Sequence, residues 1–275
     1  MAQDIYTRLD DLDAATLRNI TNLLERRGRH PQQVAIRQAY LDALGDLTGL
    51  SVLDAGCGTG VVTRDLARRV GPGGAVLGVD PSAGMVAVAE DLAAQMGVSG
   101  VSFLVQDGRR LPHADATFDL TCAVTVLSHV PEREALVREL VRVTKPGGRL
   151  LVVDGDFAAN QLAHPDAEMT ARIIEAWRTN IVDDPYVARR LTRLLIEAGL
   201  WPGPTNGYVH VEAGRVEEDT SFLWQWCPFA VEQAIQAGAI TRDEATGWLD
   251  AVQRLNDDHQ FFGSVNFVGV VSTRL

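Results

Sequence analysis

Between residues 50 and 154, short apolar runs alternate with helical segments, and four of the five runs carry an aspartate as their last or next-to-last residue. The runs are "LSVLDA", "AVLGVD", "VSFLVQD" (101–107), "FDLTCAVTVL" (118–127) and "RLLVVD" (149–154). Each is too short for a helix and apolar at most positions, as a strand covered on both faces requires. Between them, "GVVTRDLARRV", "SAGMVAVAEDLAAQMG" and "PEREALVRELVRVT" read as helices, with Ser82 as a cap, Pro131 as an opening residue and "KPGG" as a stop. Strand–helix–strand units cross over right-handed, which predicts a doubly wound, Rossmann-like, mostly parallel α/β sheet. Ligands of such sheets sit beyond the carboxyl ends of the strands, where Asp54, Asp80, Asp107 and Asp154 fall.

The flanks follow a different pattern. Residues 1–47 read as a helical leader over the ligand side. In it Pro31 opens a helix that carries Ile36, Tyr40, Ala43 and Leu47 on one face. Residues 156–184 read as a helical cap inserted after the fifth strand. An amphipathic helix follows, with Leu191, Leu194, Leu195 and Ala198 sharing a face and Gly199 as its stop. "NGYVHVEA" (206–213) and "SVNFVGVVSTRL" are expected to add an antiparallel pair, for seven strands in all. Between them, Thr241 and Glu244 have capping-box spacing. Residues 48–155 and 185–275 therefore read as one ligand-binding domain.

Composition narrows the function. A net charge of −11 opposes nucleic-acid binding, which needs clustered positive charge. No apolar run reaches the roughly 18 residues of a membrane span, and the N-terminus lacks the basic-then-apolar pattern of a signal peptide. Cys57, Cys122 and Cys227 are odd in number and far apart, so neither disulfides nor a zinc pattern is expected, and a cytoplasmic setting fits.

The loop "DAGCGTG" follows the first strand. A dinucleotide loop would place its third glycine where Val61 stands, and a phosphate-gripping Walker loop would need a Gly-Lys-Ser/Thr that is missing. Asp54, just before the glycines, would repel a pyrophosphate and face a positive group. Asp80 is placed to accept ribose hydroxyls, and Asp107 with Gly108 to meet an adenine amino group. An adenosine ligand with a cationic centre and an amino-acid tail satisfies all three acids.

With these motifs in order, the stretch "VLDAGCGTG…VLGVDPSAGMVAVA…FLVQDGRRLPHADATFDLTCAVTVLSHV…ELVRVTKPGGRLLVVD" resembles the class I S-adenosylmethionine-dependent methyltransferases. It is closest to the group related to quinone-biosynthesis enzymes, over about residues 48–155. The resemblance implies S-adenosylmethionine as cofactor and S-adenosylhomocysteine as product. Asp54, Gly56, Gly58 and Gly60 would underlie the methionine part, and Asp80 and Pro81 would hold the ribose. Met85 would lie against the adenine, Asp107 and Gly108 at its edge, and the Ala123 carbonyl would meet the methionine amino group. The leader "LLERRGRHP" is similar to those of actinobacterial small-molecule methyltransferases, which implies that Arg27 reaches the methionine carboxylate. There the usual Gly-Arg before the amphipathic helix reads Ala188-Arg189.

Methyl transfer from a sulfonium is an in-line displacement, and a base is needed only where the acceptor must lose a proton. His129 and Asp156 are the leading candidates, with His164, His210 and His259 behind them. Aromatic residues outside the sheet suggest a flat or hydrophobic acceptor, a small specialised metabolite, with His164, Trp177, Phe261 and Phe262 against it. A metal site at Asp154 and Asp156 would lack the further Asp-Asn pair of catechol-type enzymes, so metal-independent transfer by a monomer or homodimer is expected. Two rivals stay open: a cofactor-binding protein that scaffolds or catalyses another reaction, such as a cyclisation, and a nicotinamide oxidoreductase.

Overall fold

Residues 4, 6, 9–217 and 219–275 are described by the computed structural model; the rest of the expected leader, residues 1–3, 5, 7 and 8, lies outside them. β1 (Ser51–Ala55), β2 (Ala75–Asp80), β3 (Val101–Val105), β4 (Phe118–Val124) and β5 (Thr144–Gly155) pair in parallel in the order 3-2-1-4-5. α3 (Val61–Val70), α4 (Ala83–Gln95) and α5 (Arg133–Val143) supply the crossovers. Order reverses between β1 and β4, so a crevice opens at the end of β1, as in other doubly wound sheets. Alternate residues feed opposite layers: Val52, Leu151 and Val153 enter one buried cluster, Leu53, Leu150 and Val152 the other.

The C-terminal strands close the sheet. β8 (Phe261–Thr273) runs antiparallel to β5, and β7 (Trp201–Gly214) runs antiparallel to β8 on its far side. The antiparallel addition is present, but the sheet has eight strands rather than seven. The extra one, β6 (Gln161–Leu162), pairs with Gly263 and Ser264 where β5 has already ended. β7 also begins five residues before the expected strand, and its first four residues include Pro202 and Pro204, which carry no N–H. β4 stops at Val124 because Thr125 turns to φ 54°, a left-handed conformation unusual for a β-branched residue. α5 stops at Val143, with Thr144 as its cap, just before "KPGG", which bulges out between the Phe118–Thr144 and Leu120–Arg149 pairs.

Outside the sheet, α6 (Ala167–Ile181) packs on α8 (Phe222–Gln236), and α8 on α9 (Arg242–Asp257), whose Thr241–Glu244 capping box is formed. α7 is short (Leu191–Glu197), preceded by a 3-10 turn over Val187–Arg190. No helix among the described residues is long and apolar enough to cross a membrane.

Two helices form the leader. Asp13 caps α1 (Ala14–Arg29) by accepting the Ala15 and Thr16 N–H groups. Pro31, which cannot continue an α-helical ladder, breaks the chain there and opens α2 (Pro31–Asp42). α2 ends before Ala43, which is therefore exposed instead of sharing the inward face of Tyr40. Polar staples pin the leader across the domain. Arg64 of α3 reaches both oxygens of Glu25 at 2.9 Å, a bidentate pair buried under α1. Arg37 pairs with Asp65 at 2.7 Å, and the Ser82 hydroxyl donates to Asp10 at 2.6 Å. At the sheet edge, Gln32 exchanges two hydrogen bonds with the backbone of Val211 in β7.

Candidate active site

The leader roofs a cavity of about 930 Å³ over the ends of β1–β5, at the upper end of the roughly 300–1,000 Å³ usual for small-molecule sites. Ten of the site residues expected from the sequence line it: Arg27, Asp54, Gly56, Gly58, Asp80, Pro81, Met85, Asp107, Gly108 and His129. The strand order sets Asp107, Asp80 and Asp54 side by side across its floor.

The glycine loop is shaped by close approach. Gly56 has φ 73°, and a Cβ there would lie 2.5 Å from the Val126 side chain. At Gly58 a Cβ would have only Leu24 Cδ1 near it, at 3.9 Å, so this stretch of backbone is bare toward the cavity. The Gly58 N–H donates to Asp80 Oδ2 at 2.9 Å and the Ser82 N–H to Oδ1 at 3.0 Å, which fixes the carboxylate. Burial pushes the Asp80 carboxyl above its usual range. Asp54, 1% exposed, accepts from Thr63 at 2.6 Å, and burial pushes it up to about 6. Asp107 differs: Arg109 engages it through its backbone N–H, Nε and Nη2, and holds it below the ordinary carboxylate range.

Two cavity groups are donors without an acceptor. The Arg27 side chain makes no hydrogen bond or ion pair among the described residues; its guanidinium lies 5.2 Å from the Phe267 ring and 5.7 Å from that of Phe222. Burial lowers its pKa. Gln33 Nε2 is buried with no partner. An acceptor-rich, anionic ligand group would satisfy both. Bare backbone at Gly58, three floor acids and orphaned donors at the far side together fit an adenosine ligand with an amino-acid tail.

Seven expected contacts lie elsewhere. Gly60 caps α3 and packs under Phe103 and Ala89. Ala123 is fully buried within β4 beside Val152; the cavity wall begins with Val124–Val126. Asp156 is held by Arg189 Nε at 2.9 and 3.1 Å, so Arg189 has a partner despite the altered motif. His164 stacks on Trp248 at 5.0 Å, and Trp177 is buried with Trp226 where α6 packs on α8, so that only the C-terminal turn of α6 (Thr179, Asn180) reaches the cavity. Along β8, Phe261 turns into the core against Trp224 and Phe262 turns outward; it is Phe267, level with Gly155 at the end of β5, that reaches the cavity.

Sequence reasoning missed Asp4, Tyr6, Gln33 and Thr125 on the cavity wall. Gln33 and Arg37 had a readable signal, four residues apart on the face of Ile36 and Tyr40. Thr125 sits in a backbone conformation costing about 1–3 kcal/mol, held by its N–H bond of 2.7 Å to Val153.

Metal-ligand spacing occurs among the described residues at His30, His210 and Glu212, whose donor atoms lie within 4.8 Å of one another. Those atoms are committed to hydrogen bonds. His30 Nδ1 accepts the Gln32 N–H at 3.3 Å, which leaves the ring hydrogen on Nε2, 3.5 Å from Glu212. Glu212 also takes His210 Nε2 at 2.8 Å, the Phe222 N–H at 2.9 Å and the Ser221 hydroxyl. Burial raises the Glu212 carboxyl, but these donors outweigh it and hold it below its usual range. The cluster clasps the leader, β7 and α8 together. At the other paired acids, Asp154 accepts the Ser128 and Gly155 N–H groups while Asp156 faces Arg189.

Comparison with known proteins gives the kind of domain. Residues 52–148 match the family model described as a methyltransferase domain. The demethylmenaquinone methyltransferase of Lactococcus lactis is 31% identical over 161 residues, covering 58% of this chain and 60% of that protein. The chain spans between about half and two thirds of the length of the curated relatives it matches. Among solved structures, the [4+2]-cyclase SpnF is 25% identical with a TM-score of 0.54, over 90% of this chain and 83% of that one. Geranyl diphosphate C-methyltransferase of Streptomyces coelicolor, solved with Mg²⁺, geranyl diphosphate and S-adenosylhomocysteine, shares the fold. It has a TM-score of 0.54 at 17% identity, over 88% of this chain and 79% of that one.

Proposed function

Because the chain carries a class I S-adenosylmethionine-dependent methyltransferase domain of the quinone-biosynthesis-like kind, we propose that it methylates a small, neutral, largely apolar acceptor. One observation carries this reading: the row of Asp107, Asp80 and Asp54 across the floor, completed by the acceptor-seeking Arg27 and Gln33. In that row Asp80 has lone pairs left for ribose hydroxyls, Met85 offers an apolar face to the adenine, and Arg27 with Gln33 Nε2 takes the amino-acid carboxylate. S-adenosylmethionine, when bound, supplies a methyl carbon on a cationic sulfur that departs as a neutral thioether. Asp54 favours a positive ligand group beside the glycines.

Beyond β4, the cavity is walled by Val130, Pro131, Val182 and Phe267, with Asp4 and Asp183 as its acids. An apolar wall with Asp4 and the Arg133-paired Asp183 offers a diphosphate or carboxylate acceptor little to bind, unlike the geranyl diphosphate of the Streptomyces structure. It suits a neutral specialised metabolite whose O–H, N–H or acidic C–H loses its proton to His129, which gives transfer without a metal. The leader at 1–47 would act as the roof over the cofactor, and the segment 156–184 as the outer wall of the acceptor end.

Calorimetric titration tests the cofactor: S-adenosylhomocysteine should bind and NADH should not. Asp80→Ala should weaken the former more than tenfold, about 1.4 kcal/mol or more. Methyl-labelled S-adenosylmethionine should then label a small molecule from a panel of neutral phenols, indoles and quinols. Binding without label transfer across the panel would favour a catalyst of another reaction, which the SpnF likeness makes the second reading.

A further inference from the structure

We propose that Asp4, lying ahead of α1, is a positioning residue that holds His129 in the tautomer able to take a proton from the acceptor. The proposal rests on the methyl-transfer reading of the cavity.

Asp4 is 7% exposed, and its carboxylate is surrounded by donors. Oδ1 accepts the Tyr6 N–H at 2.9 Å; Oδ2 lies 2.8 Å from His129 Nδ1 and 3.3 Å from the Asp183 N–H. An ionised carboxylate only accepts, so His129 Nδ1 carries the hydrogen and Nε2 keeps its lone pair. Nε2 has no hydrogen-bond partner among the described residues, and the ring stands on the cavity wall. The ring is also fixed in place. Tyr6 packs on it at 4.5 Å and Phe157 at 6.3 Å, and the His129 N–H is bonded to Val126 at 2.9 Å.

Other charged groups of the described residues lie near the ring. Asp154 of β5 faces it with a carboxylate satisfied by two N–H groups, Asp183 is ion-paired with Arg133, and Arg27 lies beyond Tyr6. In the step, the acceptor's proton passes to His129 Nε2 while the freed electron pair forms the bond to the methyl carbon. The carbon–sulfur pair stays on sulfur, and the positive charge moves from sulfur to an imidazolium that Asp4 stabilises. His129 returns the proton to water as product leaves. The base is thus assembled by a residue from the leader, and the site is incomplete until that segment is in place.

Histidine side-chain nitrogen spectra of the uniformly ¹⁵N-labelled protein with S-adenosylhomocysteine, assigned through His129→Gln, read the tautomer directly. His129 should show a protonated Nδ1 and a bare Nε2. Asp4→Ala should lose that pattern and Asp4→Glu should recover part of it, while each binds S-adenosylhomocysteine within twofold of wild type. With any acceptor that takes label, Asp4→Ala should lower kcat about a hundredfold and leave KM near its original value. A wild-type His129 protonated on Nε2, or a tautomer indifferent to Asp4→Ala, overturns the proposal. So does a fall in S-adenosylhomocysteine affinity with the tautomer intact, which would make Asp4 a clasp for the leader. Failure of S-adenosylhomocysteine to bind at all would instead sink the methyl-transfer reading, and the tautomer of the free protein would still be readable.

Discussion

Asp54 shows what a ligand site does to a single residue. Without a ligand its buried carboxylate has Thr63 and Cys122 for company and no cation, so burial raises its pKa to about 6 from about 4 in the unfolded chain. The folded state therefore holds the extra proton between those values, and stability falls as pH rises through that window. A shift of two units amounts to about 3 kcal/mol. Asp54→Asn keeps an acceptor for Thr63 and removes the charge. Ligand-free Asp54→Asn should therefore be more stable than wild type in urea at pH 8, with the gap closing by pH 4. A variant less stable at pH 8 would refute the argument. The floor acids were legible in the sequence because each lies within two residues of a strand's end, and a strand end is a local signal. Asp4 and Gln33 were not, since their meaning depends on contacts with residues more than a hundred positions away or on an orphaned atom. Trp177 and Phe261 misled for a related reason: an aromatic residue announces burial but not the layer in which it is buried.

At the level of elements, the parallel core was readable throughout, because strand and helix periods alternate cleanly between Ser51 and Asp154. Edges were less so. β6 is two residues long, and α7 gives up its first turn to a 3-10 segment; neither has a periodicity to detect. The docking of the leader was also hidden, since it runs on ion pairs between distant helices. The most buried is Glu25–Arg64, in which Arg64 also donates to the Thr59 carbonyl at the glycine loop. Removing one partner of such a pair leaves the other charge uncompensated, at a cost of about 3–5 kcal/mol. Glu25→Ala should show that loss in chemical denaturation and speed proteolysis within α1. The double variant Glu25→Leu with Arg64→Met should recover most of it. Equal losses in single and double variants would mean that the pair is not what holds α1 down.

For the whole molecule, the cavity lies between the sheet and a roof stapled to α3, α4, β7 and α8, so a ligand inside it bridges elements that otherwise meet only through side chains. S-adenosylhomocysteine at a hundred times its dissociation constant should add about 2.7 kcal/mol to the stability. For a chain of this size that is a rise in Tm of about 5–10 °C, measurable by scanning calorimetry. An unchanged Tm at that concentration would place the ligand elsewhere.

The far rim of the sheet has a consequence of its own. β7 has a neighbour on one side only, over fourteen residues, with Trp201 and Val209 largely exposed. A bare rim of that length is a template on which like chains stack into ladders at high concentration. Here two of its first four residues have no hydrogen to offer, and the Gln32 amide already occupies the rim at Val211. The contact that ties the roof to β7 therefore also serves colloidal stability: loosening Gln32 would release the leader's hold on that strand and, in the same event, expose a sticky edge.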